Sequence, residues 1–451
     1  MFGLGRAKSL TTAGVCAVTV VLAVTGAAPA GAAVPPAVRQ VCLAPGGAQP
    51  DQAVYPNAIS GDGRFALVDS PATNLLPGGG SGPGGVFVCD LRTGRLRQVD
   101  LGPGGVQPDS YGHSDAISAD GRYVVFTSTA DNLGPAATKG VANVYLRDLR
   151  TGRTQLVSMG SGALPQSGDS DQAGISPDGR YITYESNRAD LVPGDTNQAG
   201  DVFVLDRRTG RTARASVATG GAQAAAASLW PAISADGSRV VFVSRDPGLV
   251  PTAGAPAPKP SAGQAVSPRR ARFYPLYLHD LRTGLTSVAS VEPDGSTAAV
   301  IRGVLSADGR YAVFTSLDND FSAPSQVLVR DLDRGTTTVV STAPDGTVGD
   351  QSSTLVGISP DDRWVYFTSD ADNLLPGTAP QAFGYFRRDL RTGATERLLQ
   401  LPGAANTEAE SLGASVDGRG STLLLGAASS TLPTGSSDLA SAAFTLRLPR
   451  G

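Results

Sequence analysis

Short apolar runs separated by polar turns recur along the whole chain, and none shows the 3.6-residue spacing of an amphipathic helix. In one stretch an apolar run at 123–128 follows an Asp-Gly turn at 120–121, and a second run at 144–148 precedes a Thr-Gly turn at 151–152. Asp-Gly between two apolar runs favours a β-hairpin, and the glycine of Thr-Gly supplies the positive φ of a tight turn. The pattern therefore predicts four consecutive antiparallel strands in each stretch.

Seven copies of this four-strand unit follow one another. Each is marked by an apolar residue and a Ser at the end of its first run, at 59–60, 117–118, 175–176, 233–234, 305–306, 358–359 and 414–415. The first four pairs lie 58 residues apart. One four-stranded sheet leaves both faces open, whereas sheets packed around an axis cover one another. The sequence thus predicts an all-β, seven-bladed β-propeller, with repeats at about 51–108, 109–166, 167–224, 225–296, 297–349, 350–404 and 405–451.

The two ends of the repeat region predict how the ring closes. The last unit ends with the apolar run 444–448 and has no fourth strand after it, whereas the run 38–44 precedes the first unit. The segment 46–49 parallels 220–223, which follows a fourth strand. We expect strand 38–44 to complete the seventh blade, because this pairing removes an open sheet edge.

The repeated motif, Ser-x-Asp-Gly-Arg before an aromatic or branched run and then apolar-x-apolar-x-Asp-x-x-Thr-Gly, resembles the TolB-like propeller repeat, a relative of WD repeats. The resemblance covers residues from about 38 to 451. It implies the propeller fold and little about activity, since such blades serve as envelope scaffolds, peptidase gating domains and lyases. TolB-type proteins have six blades and an additional N-terminal domain, so the resemblance does not imply a role in the Tol system.

The N-terminus predicts export. Arg6 and Lys8 precede an apolar run at 13–24 and small residues at 28–32, which is the pattern of a cleaved signal peptide over residues 1–32. No later run approaches the roughly 18 apolar residues of a membrane span. We therefore expect residues 33–451 to form one domain of a secreted, extracellular or cell-envelope protein that acts as a monomer.

The charge balance argues against nucleic acid as a partner. The chain has 37 basic and 40 acidic residues, and its formal net charge is −3. With 41% hydrophobic residues it can still bury a core. Acids that recur in every unit are expected to stabilise turns; they are Asp62, Asp120, Asp178, Asp236, Asp308, Asp361 and Asp417, with Asp90, Asp148, Asp206, Asp280, Asp331 and Asp389 at the ends of the third strands.

Polar residues near the innermost strands predict a ligand site at the channel mouth. They are Asn57, His113, Asp115, Gln172, Trp230, Arg302 and Glu410. A rim with both signs of charge suits a sugar or a peptide, and a solvated funnel without a ligand is the alternative. No Gly-x-Ser-x-Gly nucleophile motif occurs, and His113 with Asp115 alone offers too few ligands for zinc. The second histidine, His279, is expected to be a surface strand residue.

Three further features predict sites outside the mouth. Asp195, Asn197 and Asp201 have the alternating spacing of a calcium loop, or else form an Asx turn, and no other cofactor is expected. Cys42 and Cys89 remain after export and are expected to form a disulfide. The long Pro-rich loop of the fourth unit ends in three arginines that either bind an acidic partner or mark a tolerated insertion, namely Arg269, Arg270 and Arg272.

Two functions compete on this basis. One is a non-catalytic propeller scaffold that binds a protein or a cell-wall polymer such as an envelope glycan. The alternative is an enzyme that uses the channel mouth, for instance a polysaccharide lyase or hydrolase. The scaffold is favoured because the candidate residues look scattered in sequence, whereas a catalytic mouth needs clustered His, Tyr, Arg or carboxylate groups.

Overall fold

The structure, a computed structural model, describes residues 38–79, 84–134, 140–160, 168–250, 274–317, 323–376, 383–400, 414–427 and 442–448. These residues form seven four-stranded antiparallel sheets, so the predicted all-β, seven-bladed β-propeller is confirmed. The helical content consists of three short 3₁₀ turns at Pro45–Gly47, Pro103–Gly105 and Pro247–Leu249 in the described ranges. Within those ranges, no helix has the length and apolar character that crossing a membrane would need.

Each blade runs from an innermost to an outermost strand in chain order. Blades 1 to 3 contain β2 (Tyr55–Ile59), β3 (Phe65–Ser70), β4 (Gly85–Asp90), β5 (Arg95–Gln98); β6 (Gly112–Ile117), β7 (Tyr123–Ser128), β8 (Asn143–Asp148), β9 (Arg153–Leu156); and β10 (Ser170–Ile175), β11 (Tyr181–Ser186), β12 (Asp201–Asp206), β13 (Arg211–Arg214). Blades 4 to 6 contain β14 (Ser228–Ile233), β15 (Arg239–Ser244), β16 (Leu276–Asp280), β17 (Leu285–Val288); β18 (Ala299–Leu305), β19 (Tyr311–Leu317), β20 (Gln326–Asp331), β21 (Thr336–Val339); and β22 (Ser353–Ile358), β23 (Trp364–Ser369), β24 (Gly384–Asp389), β25 (Thr395–Gln400).

The seventh blade combines both ends of the chain. It contains β26 (Ala414–Val416), β27 (Thr422–Ala427), β28 (Ala442–Arg447) and the N-terminal strand β1 (Val38–Gln40). In the structure β1 pairs antiparallel with β28, with Val38 opposite Leu446. The pairing continues beyond β1, where the Val41 amide donates to the Ala443 carbonyl at 2.9 Å. The outer edge of β28 is therefore covered by the chain's own first strand.

The hydrophobic core is divided among the blade interfaces. In the part of the chain that the structure describes, seven clusters of buried side chains each join two neighbouring sheets, so every sheet packs on both faces. Between blades 1 and 2, for example, Leu67 and Val88 pack with Phe126 and Tyr145. The innermost strands contact one another in sequence, and β26 contacts β2. This arrangement surrounds a central channel with seven short strands.

The repeated polar residues stabilise the turns of blades 1 to 6, as expected. In blade 2 the Ser118 hydroxyl donates to Asp120 at 2.6 Å and accepts from the Tyr123 amide at 2.9 Å. Arg122 pairs with Asp148 at 2.8 Å, and its guanidinium lies 4.5 Å from the ring centre of Tyr123. This hydrogen-bonded ion pair lowers the pKa of Asp148 to about 2. These contacts explain why the motif recurs without implying any chemistry.

The seventh unit departs from the predicted alignment. The Asp417 amide donates to the Thr422 carbonyl, and the Asp417 carboxylate accepts from the Thr422 amide, which are the roles of Ser60 toward Phe65 in blade 1. The pair 414–415 is therefore the wrong marker, and Val416 with Asp417 is the true one, 58 residues after the pair of blade 6. Asp417 replaces the repeated serine rather than the turn aspartate, and its carboxylate performs the hydroxyl's acceptor role.

Candidate functional site

A bulge in the innermost strands exposes polar side chains at the mouth of the channel. In each of the six blades whose first hairpin is described in full, the pairing of the first two strands shifts by one residue. In blade 2 the shift falls between Ser114 and Ala116, at Asp115. A bulge locally re-aims side chains that a regular strand would alternate between its faces. The bulged residues and those just before them therefore form the upper rim of the channel.

Three of these side chains come together across blades 2 and 3. His113 Nε2 lies 2.9 Å from Asp171 Oδ1 and 3.7 Å from Asp115 Oδ1. Asp115 is anchored by Thr127, whose hydroxyl donates to its second oxygen at 2.8 Å. Among the described residues, this is the group of three His, Cys, Asp or Glu side chains whose ligand atoms all lie within 4.8 Å of one another. The structure thus combines two predicted site residues with a third that sequence analysis missed.

Asp171 had a detectable signal in the sequence. It lies 58 residues after His113, so the two occupy the same place in adjacent repeats. Equivalent residues of neighbouring blades lie side by side around a propeller ring. An alignment of the repeats column by column, rather than a search for motifs within one repeat, would have paired His113 with Asp171.

The three groups perturb one another's protonation. The hydrogen bond to Asp171, with the charge of Asp115, raises the pKa of His113 to about 9 despite partial burial. Burial raises the pKa of Asp115 to about 7. Burial is the largest influence on Asp171 and disfavours its charge, but the hydrogen bonds from His113 and the Gln172 backbone amide, with the charge of His113, together outweigh it and leave the pKa of Asp171 below its usual value. At neutral pH the site therefore contains an imidazolium, one full carboxylate and one carboxyl near its midpoint.

A second polar network joins blades 1 and 2 beside this cluster. The buried Asp69 carboxylate accepts from the Asn57 side chain at 2.8 Å and from the Ser114 amide at 2.9 Å. Asn57 also donates to the Ser114 hydroxyl at 2.7 Å. Burial raises the pKa of Asp69 to about 6. The predicted residue Asn57 therefore belongs to the mouth through its contact with Asp69, a residue of the second strand.

Two exposed tyrosines flank these networks. Tyr55 and Tyr111 are 39% and 53% exposed, although large aromatic side chains usually bury most of their area. The centres of the Tyr111 and His113 rings are 6.5 Å apart. The rim at blades 1 to 3 thus offers aromatic surface next to carboxylates.

The mouth changes character at blades 4 and 5. The Glu185 carboxylate accepts from the Trp230 amide at 3.0 Å, and burial raises the pKa of Glu185 to about 7. Gln172 and Trp230 both have left-handed backbones, with φ of 51° and 52°. Such conformations are strained for these residue types and concentrate at functional sites. In blades 4 and 5 apolar residues replace the polar residues of these strand positions: Leu229 and Ile301 correspond to Asp171, and the buried Val243 corresponds to Glu185.

Arg302 introduces a positive charge on this side of the mouth. Arg302 lies in the bulge of β18 and is exposed to solvent. The surrounding protein still desolvates the guanidinium and lowers its pKa, as expected inside a narrow channel. The remaining predicted mouth residue, Glu410, lies outside the described residues.

In the predicted calcium loop the acids contact a cation of the chain itself, Arg214. Arg214 Nη1 lies 3.2 Å from Asp201 Oδ2 and 3.7 Å from Asp195 Oδ1. Asn197 donates its side-chain amide to Asp201 at 2.8 Å, and its own oxygen accepts from the Ala199 amide at 3.1 Å, as in an Asx turn. Calcium binding here stays a prediction.

The other predicted sites have different outcomes. His279 is 5% exposed and its Nδ1 lies 2.8 Å from the Thr286 hydroxyl, so the expectation of a surface position was wrong. Its strand packs against the neighbouring blade, and burial lowers the pKa of His279. Cys42 and Cys89 are buried beside each other as free thiols, and their disulfide stays a prediction. The loop arginines Arg269, Arg270 and Arg272 lie outside the described residues, as does the predicted signal peptide.

Comparisons with known proteins find similar structures but no matching family. No protein-family model matches the chain, and no curated protein matches it. Among solved structures, an oligogalacturonate lyase from Vibrio parahaemolyticus is similar, with a TM-score of 0.54 and 12% identity over 92% of this chain and 94% of the lyase. This chain and the lyase share the β-propeller fold. A TolB from Acinetobacter baumannii has a TM-score of 0.39 at 14% identity over 78% of this chain and 65% of its own, and a dipeptidyl peptidase 4 from Porphyromonas gingivalis has 0.42 at 13% over 84% and 56%. At such identities the likeness concerns the fold alone, and membership of the TolB-like repeat family stays a prediction.

Proposed function

We propose that this protein is a secreted, non-catalytic propeller that binds a glycan at the channel mouth of blades 1 to 3. The observation that supports the proposal is the placement of the exposed Tyr111, with Tyr55 near it, next to His113 and the partly exposed carboxylate of Asp171. Sugar hydroxyls donate to carboxylates, and the apolar face of a sugar ring packs on an aromatic side chain. A concave site with a few convergent polar groups and aromatic walls is the usual form of a small-ligand site.

The charge of the mouth narrows the class of glycan. The charges of Asp69, Asp115 and Asp171 all act on His113, so acids outnumber bases at the mouth of blades 1 to 3. A polyanionic chain would approach these acids with like charge, which costs free energy. We therefore expect a neutral or N-acetylated glycan to bind more tightly than a polyuronate.

The absence of catalysis is the second part of the proposal. The acids of the mouth are engaged by the chain itself: Asp69 holds Ser114, Asp115 holds Thr127, and Glu185 holds the Trp230 amide. These bonds give the acids a structural role in joining neighbouring strands. The competing candidate, a lyase or hydrolase, draws support from the raised pKa values of Asp115 and Glu185, both near 7, because perturbed carboxyls in a cleft serve as general acids or bases.

One experiment separates the candidates. The protein lacking residues 1–32 would be titrated calorimetrically with neutral, N-acetylated and uronic acid oligosaccharides and with solubilised cell-wall material. Tyr111→Ala and Tyr55→Ala should each weaken binding about tenfold, which corresponds to the ~1.5 kcal/mol of a good aromatic contact. Leu285→Ala, which removes an equally exposed apolar side chain on the outer strand of blade 4, should leave affinity unchanged.

The same titrations can also contradict the proposal. Bound oligosaccharide recovered by mass spectrometry should be intact after long incubation. Shortened or unsaturated products that disappear with Asp115→Asn would establish the enzyme instead. Failure of every glycan to bind, with capture of a protein that Tyr111→Ala abolishes, would assign the mouth to a protein partner.

Export is a separate part of the proposal and has its own test. Expression with the native leader in a bacterial host should place the protein outside the cytoplasm. N-terminal sequencing should find a start near residue 33. A full-length protein retained in the cytoplasm would contradict this part alone.

A further inference from the structure

We propose that His113, Asp115 and Asp171 bind a divalent transition-metal ion at the mouth of the channel. The inference deepens the proposed function, on which it rests for the role of the ion as a bridge to glycan hydroxyls. Binding of the ion itself is measured without any glycan. His113 with Asp115 alone supplies too few ligands for zinc, and the third ligand, Asp171, comes from the next blade.

The positions of the ligand atoms support the site. His113 Nε2 lies between the two acids, 3.7 Å from Asp115 Oδ1 and 2.9 Å from Asp171 Oδ1. Two ligands bound at about 2.1 Å from one ion in tetrahedral geometry stand roughly 3.4 Å apart. The distance between His113 and Asp115 therefore needs little change. The distance between His113 and Asp171 must increase by about half an ångström. The hydrogen between His113 and Asp171 occupies the space that the ion would take.

The chain orients the ligands before any ion arrives. Thr127 holds the Oδ2 atom of Asp115, which leaves Oδ1 facing His113. The Gln172 amide donates to Asp171 Oδ1 at 2.6 Å, and the left-handed conformation of Gln172 fixes the backbone next to this acid. Outer contacts of this kind orient metal ligands and raise affinity. Strained backbone beside a ligand group is a second feature that this corner shares with functional sites.

The donor set selects the class of ion. One imidazole and two carboxylates suit Zn²⁺ or Mn²⁺, because calcium prefers six to eight oxygens and no nitrogen. The side chains of His113 and Asp171 are 32% and 36% exposed, whereas that of Asp115 is 5% exposed. An ion held by them would therefore keep open positions toward the channel. Sugar hydroxyls or water would fill those positions.

The test uses the protein lacking residues 1–32, treated with a chelator and dialysed. Calorimetric titration at pH 7.5 with ZnCl₂, MnCl₂ and CaCl₂ should give one site for zinc or manganese and none of comparable affinity for calcium. His113→Gln and Asp171→Asn should each weaken binding at least tenfold. Asp195→Asn, which alters the acidic loop of blade 3, should not affect it. Lowering the pH to 5.5 should weaken binding, because His113 must lose its proton to ligate.

A spectroscopic readout keeps the test independent of folding. Co²⁺ bound at a nitrogen-containing site should give a visible absorption band that His113→Gln shifts or removes, while circular dichroism shows both proteins folded. Absence of a one-to-one site in the wild-type protein would overturn the inference. So would ion binding that persists in both His113→Gln and Asp171→Asn, or that is lost in Asp195→Asn.

The outcomes distinguish this inference from the proposed function. Glycan binding that is unchanged by a chelator, with no ion bound, would refute the metal site and leave the glycan proposal intact. Ion binding without affinity for any glycan would support the metal site and refute the proposed function. A tighter glycan complex with the ion present would support both.

Discussion

Residue 362 occupies a position of the repeated turn at which a side chain should reduce the stability of the fold. The same turn position is held by glycine in the other blades, at Gly63, Gly121, Gly179, Gly237, Gly309 and Gly420. That glycine has positive φ, and in blades 2 to 5 it lies on the first residue of the preceding blade's second strand, as Gly179 lies on Tyr123. Asp362 adopts the same left-handed backbone, with φ of 58°. Burial and the neighbouring Asp308 raise the pKa of Asp362 to about 7.

We expect Asp362→Gly to stabilise the protein. Relief of the left-handed strain should contribute about 1 kcal/mol. The charge adds a pH dependence: because the folded pKa is raised above the unfolded value, stability falls as pH rises from about 4 through 7. The gain from Asp362→Gly should therefore be larger at pH 8 than at pH 5 in urea denaturation. Asp362→Asn removes the same carboxylate, so its gain in stability over the wild type should depend on pH in the same way. Its total gain should be smaller, because asparagine relieves less of the left-handed strain than glycine does. Equal gains at both pH values would contradict the role of the Asp308–Asp362 pair.

At the scale of elements, the three-residue strand β1 completes the sheet of blade 7, whose other three strands lie at the opposite end of the chain. Val38 is 7% exposed and belongs to the core cluster of blades 6 and 7, whereas the next residue, Arg39, is exposed. The two side chains therefore point to opposite faces of the same strand. This contrast allows the packing of the closing strand to be tested within one element.

We expect Val38→Asp to destabilise the protein by more than about 2 kcal/mol, because it buries an unpaired carboxylate in this cluster. Arg39→Asp should change the free energy of unfolding by less than about 0.5 kcal/mol. Chemical denaturation of the two variants and the wild type measures both values. Equal, small effects would mean that β1 does not pack on β28 in solution.

At the scale of the whole molecule, the ring depends on contacts between the two ends of the chain, and the cysteines lie beside this closure. Cys42 follows β1, and Cys89 lies in the third strand of blade 1. Both are buried in the cluster that joins blades 7 and 1. A covalent link here would attach the closing segment to the first blade.

We expect the exported protein to contain the Cys42–Cys89 disulfide. Closing a loop of about 47 residues should stabilise the fold by roughly 4 kcal/mol in the chain-entropy model. Intact mass should be two hydrogens lower than for the reduced chain, and a reductant should lower the melting temperature. The same chain produced in a reducing cytoplasm without residues 1–32 is the control. Two thiols that alkylate after unfolding of the exported protein would contradict the prediction.

The sequence by itself determined the number of blades, the four strands of each and the position of the closing strand, because alternation and turn chemistry act over a few residues. It misplaced blade 7 by two residues, since Asp417 performs a serine's role there. The 58-residue spacing places His113 and Asp171 in adjacent repeats, but only the tertiary structure decided their 2.9 Å contact, the hydrogen bond from Asn57 to Asp69, and the burial of His279. The first contact joins neighbouring blades, the second forms at the bulge of blade 1, and the burial of His279 depends on how the sheets pack, so no local pattern of the sequence reveals them.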